Sequence, residues 1–267
     1  MKVMDSTMLI LSAIFFSIST FFSMIGMGGG ILYVPVLLFS GYTMKTAPGI
    51  SLILILATSL AALFHFSKNN LVDWKLALVM DPPTDIMAFV GGYFSAFIPE
   101  EYAKVVLIII LIIAGILMVK QKKEGGLKLN KDKWYYWHRT FNGNSYAVNV
   151  PLVIAATSII GVISGILGIT GGVIKLPIMV LLCGVPMGIA VATSTVMVAL
   201  TALFGLVGHA LHGTVDFKVG LILAIASVLG GTIGSKISIN LDKNKLKKGF
   251  GIVLIFVAFK FLYTLIT

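Results

Sequence analysis

Lys175 is a basic side chain inside an apolar run, three residues after the pair Gly171-Gly172. An ionisable group at membrane depth is costly, and by default it marks a substrate or ion path. An ammonium there could neutralise a small anion. Its long stem could instead carry the amine to the nearer surface. The segment Asp81-Pro82-Pro83-Thr84-Asp85 sets two carboxylates around a double proline, between apolar Leu76–Met80 and Ile86–Val90. Carboxyls withdrawn from water hold protons more tightly. Asp81 and Asp85 are therefore candidates for proton coupling, with Lys175 as counter-ion. Intramembrane acids are expensive, so the plainer expectation is a polar mouth or a bend at the surface.

Two glycine clusters supply a second kind of chemistry. The first reads Gly26-Met27-Gly28-Gly29-Gly30, with Pro35 five residues on; the second reads Gly168-Ile169-Thr170-Gly171-Gly172, with Pro177 five residues on. A new helix opens with unpaired N–H groups and a partial positive charge, which suits an anion. Glycine lets the backbone approach a ligand with no side chain between. Gly28, Gly29, Gly30, Gly171 and Gly172 are thus candidate anion contacts, and Thr170 could add its hydroxyl. Ser51, Thr193 and Ser194, with Thr195 beside them, lie on the following apolar stretches. Such hydroxyls either face the ligand or bond back to their own helix.

Other polar groups carry less. His209 and His212 are three apart with Asp216 next in line, but no sufficient set of metal ligands accompanies them. A wet span end explains them, and no metal or cofactor is expected. Asp73 and Asp216 begin apolar stretches, where helix capping is expected. The run Trp134-Tyr135-Tyr136-Trp137-His138-Arg139 reads as an interfacial belt or a short surface helix. Cys183 is the single cysteine, so no intrachain disulfide can form.

The elements that must position these residues are membrane spans. Hydrophobic residues make up 58% of the chain and charged ones only 11%, against roughly 25% charged in soluble domains. Apolar stretches run over Met8–Phe39, Thr46–Phe66, Leu76–Ile98, Tyr102–Val119, Val150–Cys183, Ile189–Val207, Phe217–Ser238 and Gly249–Ile266. The first is read as a membrane segment, not a cleaved signal, because its apolar run outlasts a signal core. Met8–Phe39 and Val150–Cys183 are too long for one span and too short for two. Each holds a glycine cluster, so each is expected to enter, break and return.

The net charge of +10 argues for orientation and anionic lipid, not nucleic acid. Lys120, Lys122, Lys123, Lys128, Lys131, Lys133 and Arg139 lie in the central segment, and Lys236, Lys243, Lys245, Lys247 and Lys248 in the last loop. Both land in the cytoplasm only if each broken hairpin returns to its starting side. The two halves then face opposite ways. The expected fold is an all-α integral membrane protein of two inverted-topology repeats, each a glycine-broken helical hairpin followed by three transmembrane helices. Residues 1–120 form the first repeat, 121–149 a basic cytoplasmic linker and 150–267 the second repeat.

The repeat extends beyond the glycines. Ala47-Pro48-Gly49-Ile50-Ser51 corresponds to Ala190-Val191-Ala192-Thr193-Ser194, Val72-Asp73 to Val215-Asp216, and Gly91-Gly92 to Gly230-Gly231. Close helix packing accounts for Gly91, Gly92, Gly230, Gly231 and Gly234. Together the glycine motifs, the Ala-x-x-Thr-Ser element and the paired Val-Asp resemble the TauE/SafE family, over nearly the whole chain. The Asp81–Asp85 segment departs from that family's pattern. The resemblance implies a permease for a small sulfur-containing anion such as sulfite, thiosulfate or an organosulfonate. The expected activity is a secondary carrier working by alternating access in a prokaryotic plasma membrane. The alternatives are an anion channel or a membrane-embedded metal-dependent enzyme. No ATP-binding motif occurs in the chain.

Overall fold

The computed structural model describes residues 2–119, 133–169, 171–238, 252 and 254–263. The first part of the chain forms α1 (Lys2–Ile25), α2 (Gly30–Phe39), α3 (Ala47–Lys68), α4 (Trp74–Met80), α5 (Pro82–Phe94) and α6 (Glu100–Val119). A two-stranded sheet follows, β1 (Tyr136–Phe141) and β2 (Asn144–Asn149). Then come α7 (Val150–Leu167), α8 (Gly172–Pro177), α9 (Met187–Leu211), α10 (Phe217–Ser238) and α11 (Leu254–Tyr263). Five of the helices are long and apolar enough to cross a membrane: Thr7–Ile25, Ala47–Lys68, Val150–Leu167, Met187–Leu211 and Phe217–Ser238.

Both awkward stretches break where their glycines fall. Left-handed backbone at Gly26, Gly28 and Gly29 separates α1 from α2, and left-handed Gly168 ends α7. A side chain at Gly168 would be strained and would also run into Pro48. Past Pro177 the helix α8 continues as a π-helical turn, Ile178–Leu182.

The span expected over Leu76–Ile98 is two helices. α4 stops at Met80 and α5 starts at Pro82. Neither Pro82 nor Pro83 can donate a backbone bond, so the helix bends there. Hydrogen bonds Asp81 N–H to Ala77 O (2.9 Å) and Asp85 N–H to Asp81 O (3.0 Å) keep the two pieces in contact. Asp73 caps α4 by accepting from the Lys75 and Leu76 N–H groups, and Asp216 accepts from Val219 N–H near the start of α10. Both aspartates cap, as their positions suggested.

Helix pairing follows small residues. α1 packs along α10 and α5 along α7; α3 packs on α10 and α9, and α5 also packs on α9. Gly230 and Gly234 press on the α1 backbone at Phe16 and Thr20, and Gly231 on Thr58. Gly91 presses on Val162, and Gly92 on Gly205. In lipid, where apolar surface gives little net attraction, such close backbone approach supplies the association energy.

The aromatic run before α7 does not form a helix. It is the first strand of an antiparallel hairpin pairing Tyr136 with Asn149 and Phe141 with Asn144. Asn142 and Gly143 both have positive φ, the backbone of a tight two-residue hairpin turn. This sheet is the one departure from an all-α architecture among the described residues. It is fastened to the bundle end that carries the α3–α4 loop. Asn142 Nδ2 donates to Asn70 O (2.9 Å), and Ala147 N–H donates to Cys183 O (3.2 Å). Arg139 donates from Nε (3.0 Å) and Nη2 (3.2 Å) to the fully buried Asp73 carboxylate, and the Tyr146 hydroxyl donates to it as well. Most of the lysine-rich stretches, Lys120–Lys131 and Lys243–Lys248, lie outside the described residues.

Burial alone would raise the Asp73 carboxyl; the bonds from Arg139, Tyr146 and Leu76 N–H more than offset this and hold it below its ordinary value. A carboxyl depressed in the folded state contributes stability that is complete above its unfolded value, about pH 4, and is lost as pH falls through the folded value. Asp73→Asn should lower the melting temperature at neutral pH and flatten the acid limb of stability. Thermal unfolding of both proteins from neutral pH downward checks this; an unchanged acid limb would show that the hairpin clamp does not govern it.

Candidate functional site

The two breaks meet near the middle of the bundle. A Cβ at Gly28 would lie 2.5 Å from Val198 Cγ1, and one at Gly172 would lie 2.8 Å from Val198 Cγ2 and 3.4 Å from Met27 Cα. Val198 of α9 therefore separates the opening turn of α2 from that of α8. Ile55 of α3 also lies against Gly28. Gly29 and Gly30 begin α2, and Gly171 and Gly172 begin α8. Thr170 lies outside the described residues.

Each break is held by a serine from the other half of the chain. Ser51 Oγ on α3 donates to Gly168 O at 2.7 Å, and Ser194 Oγ on α9 donates to Gly26 O at 2.5 Å. Breaking a helix strands carbonyls that hydrocarbon cannot solvate, and these two hydroxyls satisfy one on each side. The remaining hydroxyls are engaged elsewhere. Thr193 Oγ1 accepts the Asp73 N–H at 3.0 Å, and Thr195 bonds back to Val191 O on its own helix.

Lys175 is fully buried. Its amine does not reach a surface: it donates to the Asp81 carboxylate and to Thr201 Oγ1 (3.0 Å). Thr201 in turn donates to Asp85 Oδ1 at 3.0 Å. Asp81 and Asp85 are 1% and 5% exposed. The Asp81–Asp85 segment is thus not a polar mouth; the bend turns both carboxylates inward, toward α8 and α9. The equivalent of Lys175 in the first half, Tyr33, is also fully buried, and its hydroxyl lies 3.0 Å from Thr58 Oγ1.

Three polar residues beside the breaks escaped sequence reasoning. Thr201 bridges Lys175 and Asp85. Its signal was the repeat itself, because it matches Thr58 under the register that pairs Ser51 with Ser194. Ser59 is fully buried, its Oγ has no partner among the described residues, and it would lie 2.8 Å from a Cβ at Gly28. Thr84 Oγ1 is likewise buried without a partner. Nothing in the sequence marked either of these.

The histidines do other work. His209 Nε2 bonds Gly165 O (2.8 Å), and its Nδ1 lies 3.2 Å from both Ser95 and Thr214 hydroxyls. His212 packs edge-on to Tyr93 and Phe97. No group of three His, Cys, Asp or Glu side chains gathers for a metal among the described residues.

Comparison with known proteins bears on all of this geometry. The family model described as sulfite exporter TauE/SafE matches residues 11–261. The chain belongs to the TauE/SafE family. It is 30% identical over 255 residues to the probable membrane transporter protein YunE of Bacillus subtilis, covering 90% of this chain and 92% of that one. It is 26% identical to the probable membrane transporter protein MJ0441 of Methanocaldococcus jannaschii, covering 84% of each chain. It is 24% identical to the probable membrane transporter protein YfcA of Escherichia coli K12, covering 96% of this chain and 90% of that one. No solved structure gives a significant match. With its apolar helices, this makes the TauE/SafE chain a multi-pass membrane transporter.

The serine cross-bonds make a direct prediction. Ser51→Ala and Ser194→Ala should each cost about 1 kcal/mol, since each strands a buried carbonyl. Unfolding of purified protein in detergent measures both. Undiminished stability in both variants would remove these bonds from the account of the breaks.

Proposed function

We propose that this TauE/SafE protein is a secondary carrier that moves a small sulfur-containing anion across the cell membrane by alternating access. Residues 1–120 and 150–267 act as two inverted repeats, joined by a cytoplasmic linker, 121–149. The observation that carries this reading is the reciprocal pair of bonds, Ser51 to the Gly168 break and Ser194 to the Gly26 break. Equivalent residues exchange roles between the halves, as a two-fold relation requires. Further equivalences support it. Tyr33 with Thr58 matches Lys175 with Thr201, and α1 on α10 matches α7 on α5.

The ends of the helices support the inversion. The α3–α4 loop, the hairpin and Cys183 share one end through the bonds at Asn70, Asp73 and Cys183. α7 starts at that end, directly after β2. At the other end, Met44 N–H bonds the Glu100 carboxylate and Gly49 packs on Val215. α10 runs from this second end back to the first, and α1 runs beside it, with Phe16 at Gly230 and Met24 O bonded to Ser238. The two broken hairpins thus enter from opposite ends.

The anion would sit where the breaks meet, around Val198. Backbone N–H groups of Gly28, Gly29, Gly30, Gly171 and Gly172 would face it. The unpartnered Ser59 hydroxyl and Thr170 would add donors. Ser51, Thr193 and Ser194 would fix the frame, and Lys175 would supply the positive charge. The family's description as sulfite exporter supports a sulfur oxyanion or sulfonate.

Purified protein in liposomes tests the reading. Uptake of labelled sulfite, thiosulfate or sulfoacetate should saturate and should accelerate when unlabelled anion is trapped inside. Val198→Ala should loosen the site and raise KM several-fold with the protein still folded. Chloride or phosphate flux without any sulfur-anion flux would reject the substrate class. Linear uptake with no trans-acceleration would replace the carrier with a channel.

A further inference from the structure

Four polar side chains form one continuous chain between the two halves. Lys175 Nζ donates to Asp81 and to Thr201, and Thr201 donates to Asp85. All four are buried, at 5% exposure or less. The cluster holds two carboxyls and one ammonium. With both carboxyls ionised it would carry an uncompensated negative charge inside an apolar bundle, which is strongly disfavoured. The other side chains facing it do not supply the missing positive charge. α7 contains no titratable residue, α8 only Lys175, and α9 only His209, whose Nε2 bonds Gly165 O. On α4, Lys75 lies in the first turn beside the capping Asp73, which Arg139 already pairs. One proton is the smallest charge that balances the cluster.

Two further observations bear on exchange of that proton. Among the described residues Asp81 Oδ2 is buried without a partner, as is Thr84 Oγ1 one turn on. A cleft of about 320 Å³ between α4–α5 and α9 passes Asp81 and Asp85, but its wall is apolar, with Trp74, Leu78, Ile86 and Phe204, and both carboxylates stay buried behind it. The cluster also touches the proposed anion site, since a Cβ at Gly171 would lie 3.5 Å from Lys175 Cε.

We propose that the Asp81–Asp85 pair is a proton-binding site that couples proton and anion movement in one step. This rests on the carrier reading above. A proton taken from water forms an O–H bond on Asp81, while Asp85 keeps its own. The Lys175–Asp81 salt bridge then loses its negative partner, and the ammonium is left for the anion at the breaks. Release of the anion restores the salt bridge, and the Asp81 proton leaves to water. One proton thus accompanies each monovalent anion, and the cluster never carries more than one net charge. The first half lacks this device: Tyr33 and Thr58 are neutral, and Leu223–Val228 contains no acid where Asp81 and Asp85 would correspond.

Two measurements on the full chain test the proposal. Infrared difference spectra at neutral pH should show a protonated-carboxyl band that disappears in Asp85→Asn. Its absence from the wild type overturns the resident proton, whatever anion is carried. In liposomes holding a trapped pH dye, inward flux of a monovalent sulfonate such as methanesulfonate should acidify the interior. Asp85→Asn mimics the protonated carboxyl and should fold; acidification should persist in it, because Asp81 still takes up the moving proton. In Asp81→Asn, acidification should be abolished. Asp81→Glu keeps a carboxyl beside Lys175 and covers the case in which Asp81→Asn fails to fold: acidification should persist in it. Anion flux without proton movement in the wild type rejects the coupling and leaves the carrier reading intact. A carboxyl band without any sulfur-anion flux rejects the carrier reading and, with it, the coupling, while the resident proton stands.

Discussion

Hydrocarbon offers no hydrogen bonds, and this constraint governs the molecule. A helix can be interrupted at membrane depth only where something in the protein satisfies the freed backbone. Here the interruptions at Gly26–Gly29 and Gly168–Gly171 are answered by Ser194 and Ser51, each from the half opposite the break it serves. Each half thereby completes the other. A half alone would contain a broken hairpin with a stranded carbonyl. The same dependence appears in the steric pairing, where Val191 closes on Gly26 and Pro48 on Gly168. On the carrier reading proposed above, a break fixed from across the molecule would move when the other half moves, as alternating access asks of its pivots.

Much of this was legible because hydrophobic length and helix breakers conflict openly in the sequence. A run too long for one span, with Gly-Gly inside and proline after it, admits few solutions. The caps at Asp73 and Asp216, the tight-packing glycines and the family resemblance were equally local or repeated signals. What the sequence hid was pairing at long range. Nothing near Lys175 announces Asp81, which lies in the other half. The sequence offers the acids as partners for Lys175 only beside a polar mouth and a snorkelling amine, because a lone charge in lipid is expensive; as a pair, each removes the other's reason to seek water. The β-hairpin was hidden differently. Asn142-Gly143 is a strong hairpin signal, but the aromatic run before it has a composition that suits a membrane surface equally well.

The hairpin and the charge cluster sit at the two ends of one helix piece. α4 begins at Asp73, clamped by Arg139 and Tyr146, and ends at Asp81, clamped by Lys175. A helix of seven residues has little stability of its own. Its position is set by its termini, and both termini are carboxylates paired with cations from the second part of the chain. Losing one partner of a buried pair costs about 3–5 kcal/mol because the other charge is left behind. α4 is therefore a short rod whose two ends report on the linker and on α8.

This explains why the Asp-Pro-Pro-Thr-Asp segment is where it is. The repeat supplies a common scaffold in which the third residue past the break reaches a threonine on the neighbouring long helix. With Tyr33 that contact is neutral and needs nothing more. With Lys175 it brings an ammonium into the bundle, and the ammonium requires an acid. An unbroken α4–α5 would carry its side chains along one helical stripe. The double proline ends one helix and starts the next, so that Asp81 meets Lys175 directly while Asp85 meets it through Thr201. The acidic segment and the lysine in the second glycine motif are, on this argument, one device built in two places. Neither is tolerable in lipid without the other.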